Sequence, residues 1–372
     1  MDLTSTAYGT WSGGRYMHFG VTLDEERFLG CIRHAYDEGI RTFITADVYG
    51  AGKADQALGK ALKGVDRSTY ALVGMIGHDF INGKREGSRG FPRLTDPRLR
   101  GPEKYAEFIE EATLNSLKDC ETDYFDLLML HNPDELGYTH ENVWKGMDLM
   151  KQKGLAQKVG IAPGPANGFT LDLAQTYETY GEIIDWSMVI LNPFEPWPVG
   201  KVAPIAAQND IKLITRVADY GGIFHDDLRP GHEFAPGDHR AYRPEGWVEA
   251  GCEKLEKMRP YAEKYGLTML QFAAVVNLSQ VAVESVVPTF VQETGDQARP
   301  IEDKITEFSN LPTDVRLSAE DLAAVLEIGD NTGCMTLKGA SKRHETSERP
   351  DEWPMRDDLL AVAAKHDLGT EW

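Results

Sequence analysis

The sequence predicts an α/β fold: a (β/α)8 (TIM) barrel with long loops at the C-terminal face and an extra C-terminal helical tail. Three observations lead there. A short apolar run ending in a polar residue is followed by a turn and a segment of helical periodicity, and this unit recurs eight times. Several of the short runs are almost continuously apolar, as strands buried on both faces are. The 372 residues are enough for eight such units in one domain.

In chain order, the strand candidates are STAYGTW from Ser5, TFITAD from Thr42, YALVGMIG from Tyr70 and YFDLLMLH from Tyr124. They continue with AQKVGIA from Ala156, DWSMVILN from Asp185, KLITRVA from Lys212 and ESVVPTF from Glu284. Between them lie amphipathic stretches. In residues 24–38, Phe28, Cys31, Ile32, Ala35 and Tyr36 fall on one helical face. In residues 247–265, Val248, Cys252, Leu255, Met258, Ala262 and Tyr265 do the same. Eight strand-then-helix units in a row argue for a closed parallel barrel over an open sheet.

Segments 78–102, 219–246 and 291–300 interrupt the repeat, each after a strand and each rich in Gly, Pro and charge. Connections after strands lie at the chemical face of a barrel, so these are expected to be substrate loops. Residues 1–334 are assigned to the barrel and 335–372 to an extension packed on it. In that extension, Pro350, Trp353 and Pro354 precede an apolar stretch from Leu359 to Ala364, which reads as an added helix. Sequence leaves open whether it caps the barrel or pairs with another subunit, so a homo-oligomer stays open too.

Composition narrows the function classes. With 39 Lys plus Arg against 59 Asp plus Glu, the net charge is −20, which disfavours a nucleic-acid binder. The opening MDLTSTAYGTWSGG has no basic stretch followed by an apolar one, and no apolar run reaches membrane-spanning length. Cys31, Cys120, Cys252 and Cys334 are far apart, without zinc or disulfide spacing. The expectation is a cytoplasmic protein whose partner is a small-molecule substrate, not a membrane.

Four strings carry a family likeness: GTW at Gly9, TADVYGAGKADQALGKAL from Thr45, YFDLLMLHNPD from Tyr124 and GDHR from Gly237. From about residue 5 to about residue 330 the chain resembles the aldo-keto reductases, NAD(P)-dependent enzymes on an eight-stranded β/α barrel. The resemblance implies a catalytic tetrad of Asp, Tyr, Lys and His. The tyrosine falls on Tyr49 and the histidine on His131, but the aspartate falls on Ile44 and the lysine on Met75. In the family pattern that lysine, held by the aspartate, lowers the tyrosine pKa so that it passes a proton to a carbonyl oxygen. Left to itself, a tyrosine ionises near about 10 and serves as a hydrogen-bond donor.

The nicotinamide anchors implied by the family depart as well. Ser-Asn becomes Ala162 and Pro163, the glutamine becomes Met188, and the stacking aromatic becomes Arg216. Asp219 puts a carboxylate near the expected pyrophosphate, and after Pro288 only Arg299 and Lys304 are basic in the stretch expected to hold the adenosine phosphate. The chain reads as a divergent member. No cofactor is expected, with NADP or NAD only if the protein is a reductase after all.

Strand ends supply an inventory independent of the family. Tyr49, His131, Asp47 and Arg216 are the candidate catalytic groups: an imidazole or carboxylate as base, with phenol and guanidinium for an oxyanion. Trp11, His78, Asn192 and Glu195, followed by Trp197, Asp219 and Tyr220, are the candidate substrate contacts. Aromatics at Trp11, Phe80, Trp197, Tyr220 and Phe224, beside amides and carboxylates, suit a polyol or sugar-like ligand. Asp47, His78, His131 and Glu195 are ligand types for a divalent metal, but no spacing supports a site and none is expected. FHDD at 224–227 and GDHR at 237–240 read as a solvated turn.

Three functions follow in order of expectation. The first is non-redox acid-base chemistry, elimination or isomerisation, on a hydroxy-carbonyl compound such as an oxidised sugar. The second is an NAD(P)H-dependent carbonyl or aldehyde reductase with an altered tetrad, whose proton is supplied through His131 and Tyr49; a loop lysine such as Lys53 or Lys84 reaching into the site would favour it. The third is a non-catalytic binding subunit.

Overall fold

The computed structural model describes residues 1–87, 90–164, 169–334, 338 and 356–368. Strands β1 (Ala7–Gly9), β2 (Thr42–Ala46), β3 (Ala71–Ile76), β4 (Leu127–His131), β5 (Val159–Ala162), β6 (Trp186–Ile190), β7 (Lys212–Arg216) and β8 (Val283–Val287) form one sheet in chain order. Every neighbouring pair is parallel. The sheet closes where Thr6 bridges Val286, whose N–H donates to the Ser5 carbonyl at 2.9 Å. Each strand lies inside, or within a residue of, the run that periodicity marked for it.

Helices follow the strands: α1 (Glu25–Asp37), α2 (Lys53–Ala61), α3 (Tyr105–Asp119), α4 (Glu135–Thr139), α5 (Glu141–Gln152), α6 (Thr170–Tyr180) and α7 (Val199–Gln208). After β7 come α8 (Trp247–Lys264) and α9 (Met269–Leu278), and after β8 come α10 (Ile301–Ser309) and α11 (Ala319–Gly329). The Asp24 carboxylate accepts the Arg27 N–H to start α1, and a reciprocal Thr268–Gln271 capping box starts α9.

Strand residues alternate between two apolar layers, as a two-residue period requires. Phe43, Leu72, Leu128 and Leu213 face outward to the helices. Ile44, Val73, Met75, Leu127, Met129 and Ile214 face inward and fill the barrel. In register, Ile44 pairs with Val73 and Ala46 with Met75, so the floor beneath the β2 and β3 ends is hydrocarbon.

Helix α12 (Asp357–Lys365) lies on α6, with Leu359 and Ala363 against Leu171 and a Lys365–Glu178 ion pair of 2.7 Å. Among the described residues no helix is long and apolar enough to cross a membrane.

The FHDD and GDHR strings are not solvated. His225, Asp227, Asp238 and Arg240 are all buried. Arg240 is held by Asp238 at 2.7 Å and Glu293 at 2.5 Å, and Lys304 by Asp227 at 2.6 Å. The segments after β7 and β8 lie against each other over the barrel mouth. Charges caught between them are tolerable only when paired.

Candidate active site

A cavity of about 340 Å³ opens at the C-terminal ends of the strands. Its floor is made by Tyr49 beyond β2, His131 at the end of β4, Ala162 and Pro163 at β5, Met188 in β6 and Arg216 closing β7. One wall holds Trp11, Met17 and Phe19. The other carries His239, Arg240 and Arg243 from the long segment after β7, with Lys338 from the tail.

Tyr49 and His131 stand edge to face with ring centroids 5.6 Å apart, and Trp11 meets Tyr49 at 6.3 Å. The Trp11 indole N–H donates to Thr289 Oγ1 at 3.2 Å, which fixes that ring against the β8 end. Ile44 and Met75, where the family pattern has Asp and Lys, are fully buried in the barrel interior. Tyr49 therefore sits above hydrocarbon, and burial pushes its hydroxyl up to about 12 against the opposing pull of Arg216. The phenol is a proton-bearing donor at neutral pH. Lys53 and Lys84 are exposed and do not line the cavity.

Burial, then the neighbouring His78, Arg216 and Arg93, hold the His131 imidazole well below its usual range, so it is neutral. Its Nδ1 has no hydrogen-bond partner. Arg216 donates through Nη2 to the Pro163 carbonyl at 3.0 Å, while its buried Nε has no partner. A phenol, an imidazole and a guanidinium thus share one floor, each with hydrogen-bonding capacity to spare.

Asp47 and His78 lie elsewhere, in a recess of about 20 Å³ behind β2 and β3. Burial, then the charge of Asp55, push the Asp47 carboxyl well above its usual range, and its Oδ1 is unpartnered. Arg93 donates to His78 Nδ1 at 3.1 Å and the Asn132 side-chain amide lies 3.2 Å from its Nε2. Burial and the Arg93 charge lower this imidazole to about 3.

The remaining candidates face protein. Asn192 donates to Glu195 Oε2 at 2.8 Å, and Glu195 Oε1 accepts the Lys338 backbone N–H at 2.6 Å. Both carboxylate oxygens of Asp219 take backbone N–H groups, from Thr289 and from Gly222, each at 2.7 Å. Gly222 is in the left-handed region (φ 100°), and a Cβ there would stand 3.0 Å from both Arg240 and Glu293. Tyr220 packs between Phe194 and Trp247, Phe224 stacks near Phe194, and the backbone of Trp197 is bracketed by the Asn331 side chain. Of the aromatics expected to form a sugar platform, Trp11 alone among the described residues lines the cavity. Among the described residues, no three His, Cys, Asp or Glu side chains gather as metal ligands.

Sequence reasoning missed Arg243, His239 and Lys338. The first two sit in a loop whose register no periodicity fixes, and the lysine arrives from a tail with no motif around it.

The sequence profile of the Aldo/keto reductase family matches residues 7–298. The chain belongs to that family. An aldo-keto reductase from Bacillus subtilis is 28% identical over 247 residues, covering 66% of this chain and 67% of that protein. A probable voltage-gated potassium channel subunit beta from Arabidopsis thaliana is 25% identical over 297 residues, covering 77% and 84%. Among solved structures, a glycerol dehydrogenase from Gluconobacter oxydans superposes with a TM-score of 0.67 at 20% identity, covering 88% of this chain and 92% of that one. A Klebsiella pneumoniae aldo/keto reductase in complex with NADP and acetate gives 0.56 at 17% identity, covering 87% and 90%. In this family member Tyr49 and His131 stand over a hydrocarbon floor that includes Ile44 and Met75.

Proposed function

We propose that this aldo-keto reductase family member catalyses non-redox acid-base chemistry, an elimination or isomerisation, on a small polar hydroxy-carbonyl substrate such as an oxidised sugar. The observation that carries the reading is the Asp219 carboxylate, which stands where the family resemblance has an apolar residue before the pyrophosphate contacts and takes the Thr289 and Gly222 N–H groups. Those two donors are therefore already taken and are not free for a phosphate. Arg216 points its Nη2 at the Pro163 carbonyl, and Ala162 and Met188 offer a nicotinamide amide no side-chain hydrogen bond. The residues present do not fit a bound nicotinamide dinucleotide.

In this reading Tyr49 and the Arg216 guanidinium, which both line the cavity, hold the substrate carbonyl oxygen, and the guanidinium stabilises the oxyanion formed when an adjacent C–H loses its proton. His131, neutral and on the cavity floor, takes that proton. Its low proton affinity belongs to the empty cavity. Negative charge developing on the substrate raises that affinity as the proton arrives. The proton then returns to carbon in an isomerisation or leaves with a departing hydroxide in an elimination.

An NAD(P)H-dependent carbonyl reductase is the second reading, favoured by the retained Tyr49–His131 pair and by relatives named as reductases. Fluorescence and calorimetric titration with NADPH and NADH separates the two. The acid-base reading expects no saturation up to millimolar nucleotide, and micromolar binding overturns it.

A further inference from the structure

This chain carries 20 more acidic than basic groups, yet among the described residues no Asp or Glu lines the cavity, while Arg216, Arg240, Arg243 and Lys338 all do. The carboxylates nearest by are committed. Asp238 and Glu293 neutralise Arg240, Asp219 accepts two backbone N–H groups, and Glu195 holds Asn192 and the Lys338 backbone. What faces the space is positive charge, which Glu195 and Asp219 offset electrostatically without an ion pair to Arg243 or Lys338 among the described residues. Arg243 has a buried Nε with no partner, and Arg216 has another. The Lys338 side chain is buried with its ammonium 5.5 Å from the Tyr220 ring and 5.9 Å from that of Trp247, with no ion pair among the described residues.

Unpaired cations withdrawn from water are costly unless a ligand completes them. Their placement is also directional. Arg216 neighbours Tyr49 and His131, whereas Arg243 and Lys338 stand together on the opposite wall beside Tyr220 and Glu195.

We infer that the cavity binds an anionic substrate end to end, with a carboxylate or phosphate group held by Arg243 and Lys338 and the hydroxy-carbonyl group turned toward Tyr49, His131 and Arg216. This deepens the acid-base reading by naming a substrate class, and rests on it for the reacting end alone. An acidic sugar of the uronate type carries both groups, an open-chain hydroxy-aldehyde at one end and a carboxylate at the other, whereas an aldonate offers the carboxylate alone. Guanidinium and ammonium together suit either anion, the guanidinium through paired N–H donors and the ammonium as a point charge.

The test is calorimetric titration of the full chain, at fixed ionic strength and without nucleotide, with D-glucuronate and D-gluconate against neutral D-glucose and D-glucitol. Inorganic phosphate is the third arm. Acids, or phosphate if the physiological group is a phosphate, are expected to bind at least about tenfold more tightly than the neutral sugars. That preference collapses in Arg243→Gln and in Lys338→Met, while Arg243→Lys retains most of it. Unchanged far-ultraviolet dichroism and melting temperature show that the variants fold. Equal binding of acid and neutral sugars, no binding of any anion, or a preference that survives both neutral substitutions overturns the inference. Because no arm contains nucleotide, a failure here is distinct from micromolar NADPH binding, which overturns the acid-base reading itself.

Discussion

At the scale of single residues, the departures from the family pattern that the proposed chemistry turns on are two replacements, Ile44 and Met75, and one added carboxylate, Asp219, beside the changed nicotinamide anchors. The first two were legible because they sit inside strands whose neighbours match the family strings without gaps. Their burial in the barrel interior follows from strand alternation alone. The role of Asp219 was half legible: the carboxylate was visible in sequence, but the two backbone donors it satisfies come from a turn and from the residue after Pro288. Lys338 was not legible at all. Burial, against the opposing pull of Glu195, lowers its ammonium to about 8, with Arg243 and Arg240 adding to the shift and Asp219 opposing it. Of the groups facing it, both arginines stay charged throughout and burial pushes the Tyr220 hydroxyl well above its usual range. Anion affinity is therefore expected to be flat below the Lys338 pKa and to fall as pH rises through about 8, where the ammonium deprotonates. Calorimetry with D-glucuronate between pH 6 and pH 10 reads this, and Lys338→Met should give a flat profile.

At the scale of elements, the cationic wall exists because two loops are welded together over the barrel mouth. Arg240, in the segment after β7, takes Asp238 from its own turn and Glu293 from the segment after β8. The polar composition of these segments suggested water, but composition does not report partners, and the pairing runs between stretches far apart in sequence. Burial alone would raise the Glu293 carboxyl, but the hydrogen bonds of Arg240 and His232 and the charges of Arg240 and Lys304 outweigh it and bring it from 4.5 down to about 2. A carboxylate depressed on folding stabilises the fold above its unfolded pKa. That contribution is lost as pH falls from about 4.5 toward about 2. Arg240→Met leaves Asp238 and Glu293 buried without a cation and should cost roughly 3–5 kcal/mol by urea unfolding at neutral pH. In that variant the acid-labile step below pH 4.5 shrinks, because Glu293 loses the largest of the interactions that favour its ionised form, while His232 and Lys304 remain. An unfolding free energy within about 1 kcal/mol of the parent would mean the network contributes little.

At the scale of the whole molecule, the barrel, its strand order and its chemical face followed from periodicity, since eight buried strands alternating with amphipathic helices admit few architectures. The cavity's charge did not, because it depends on which side chains of long loops turn inward and which carboxylates are already spent. The tail tests this division of labour. The barrel closes through β1 and β8 without it, and α12 adds apolar contact through Leu359 and Ala363 on the outside of α6. A chain ending at Cys334 should stay folded with a lower melting temperature, since α12 gives up three buried side chains, Leu359, Val362 and Ala363, the two larger ones at about 1.5–3 kcal/mol each. Its affinity for D-glucuronate should match that of Lys338→Met, because the barrel keeps Arg216 and Arg243 in place. A truncated chain that binds the acid as well as the full one removes Lys338 from the anion site. One that loses far more than the point variant assigns the tail a wider part in building the wall.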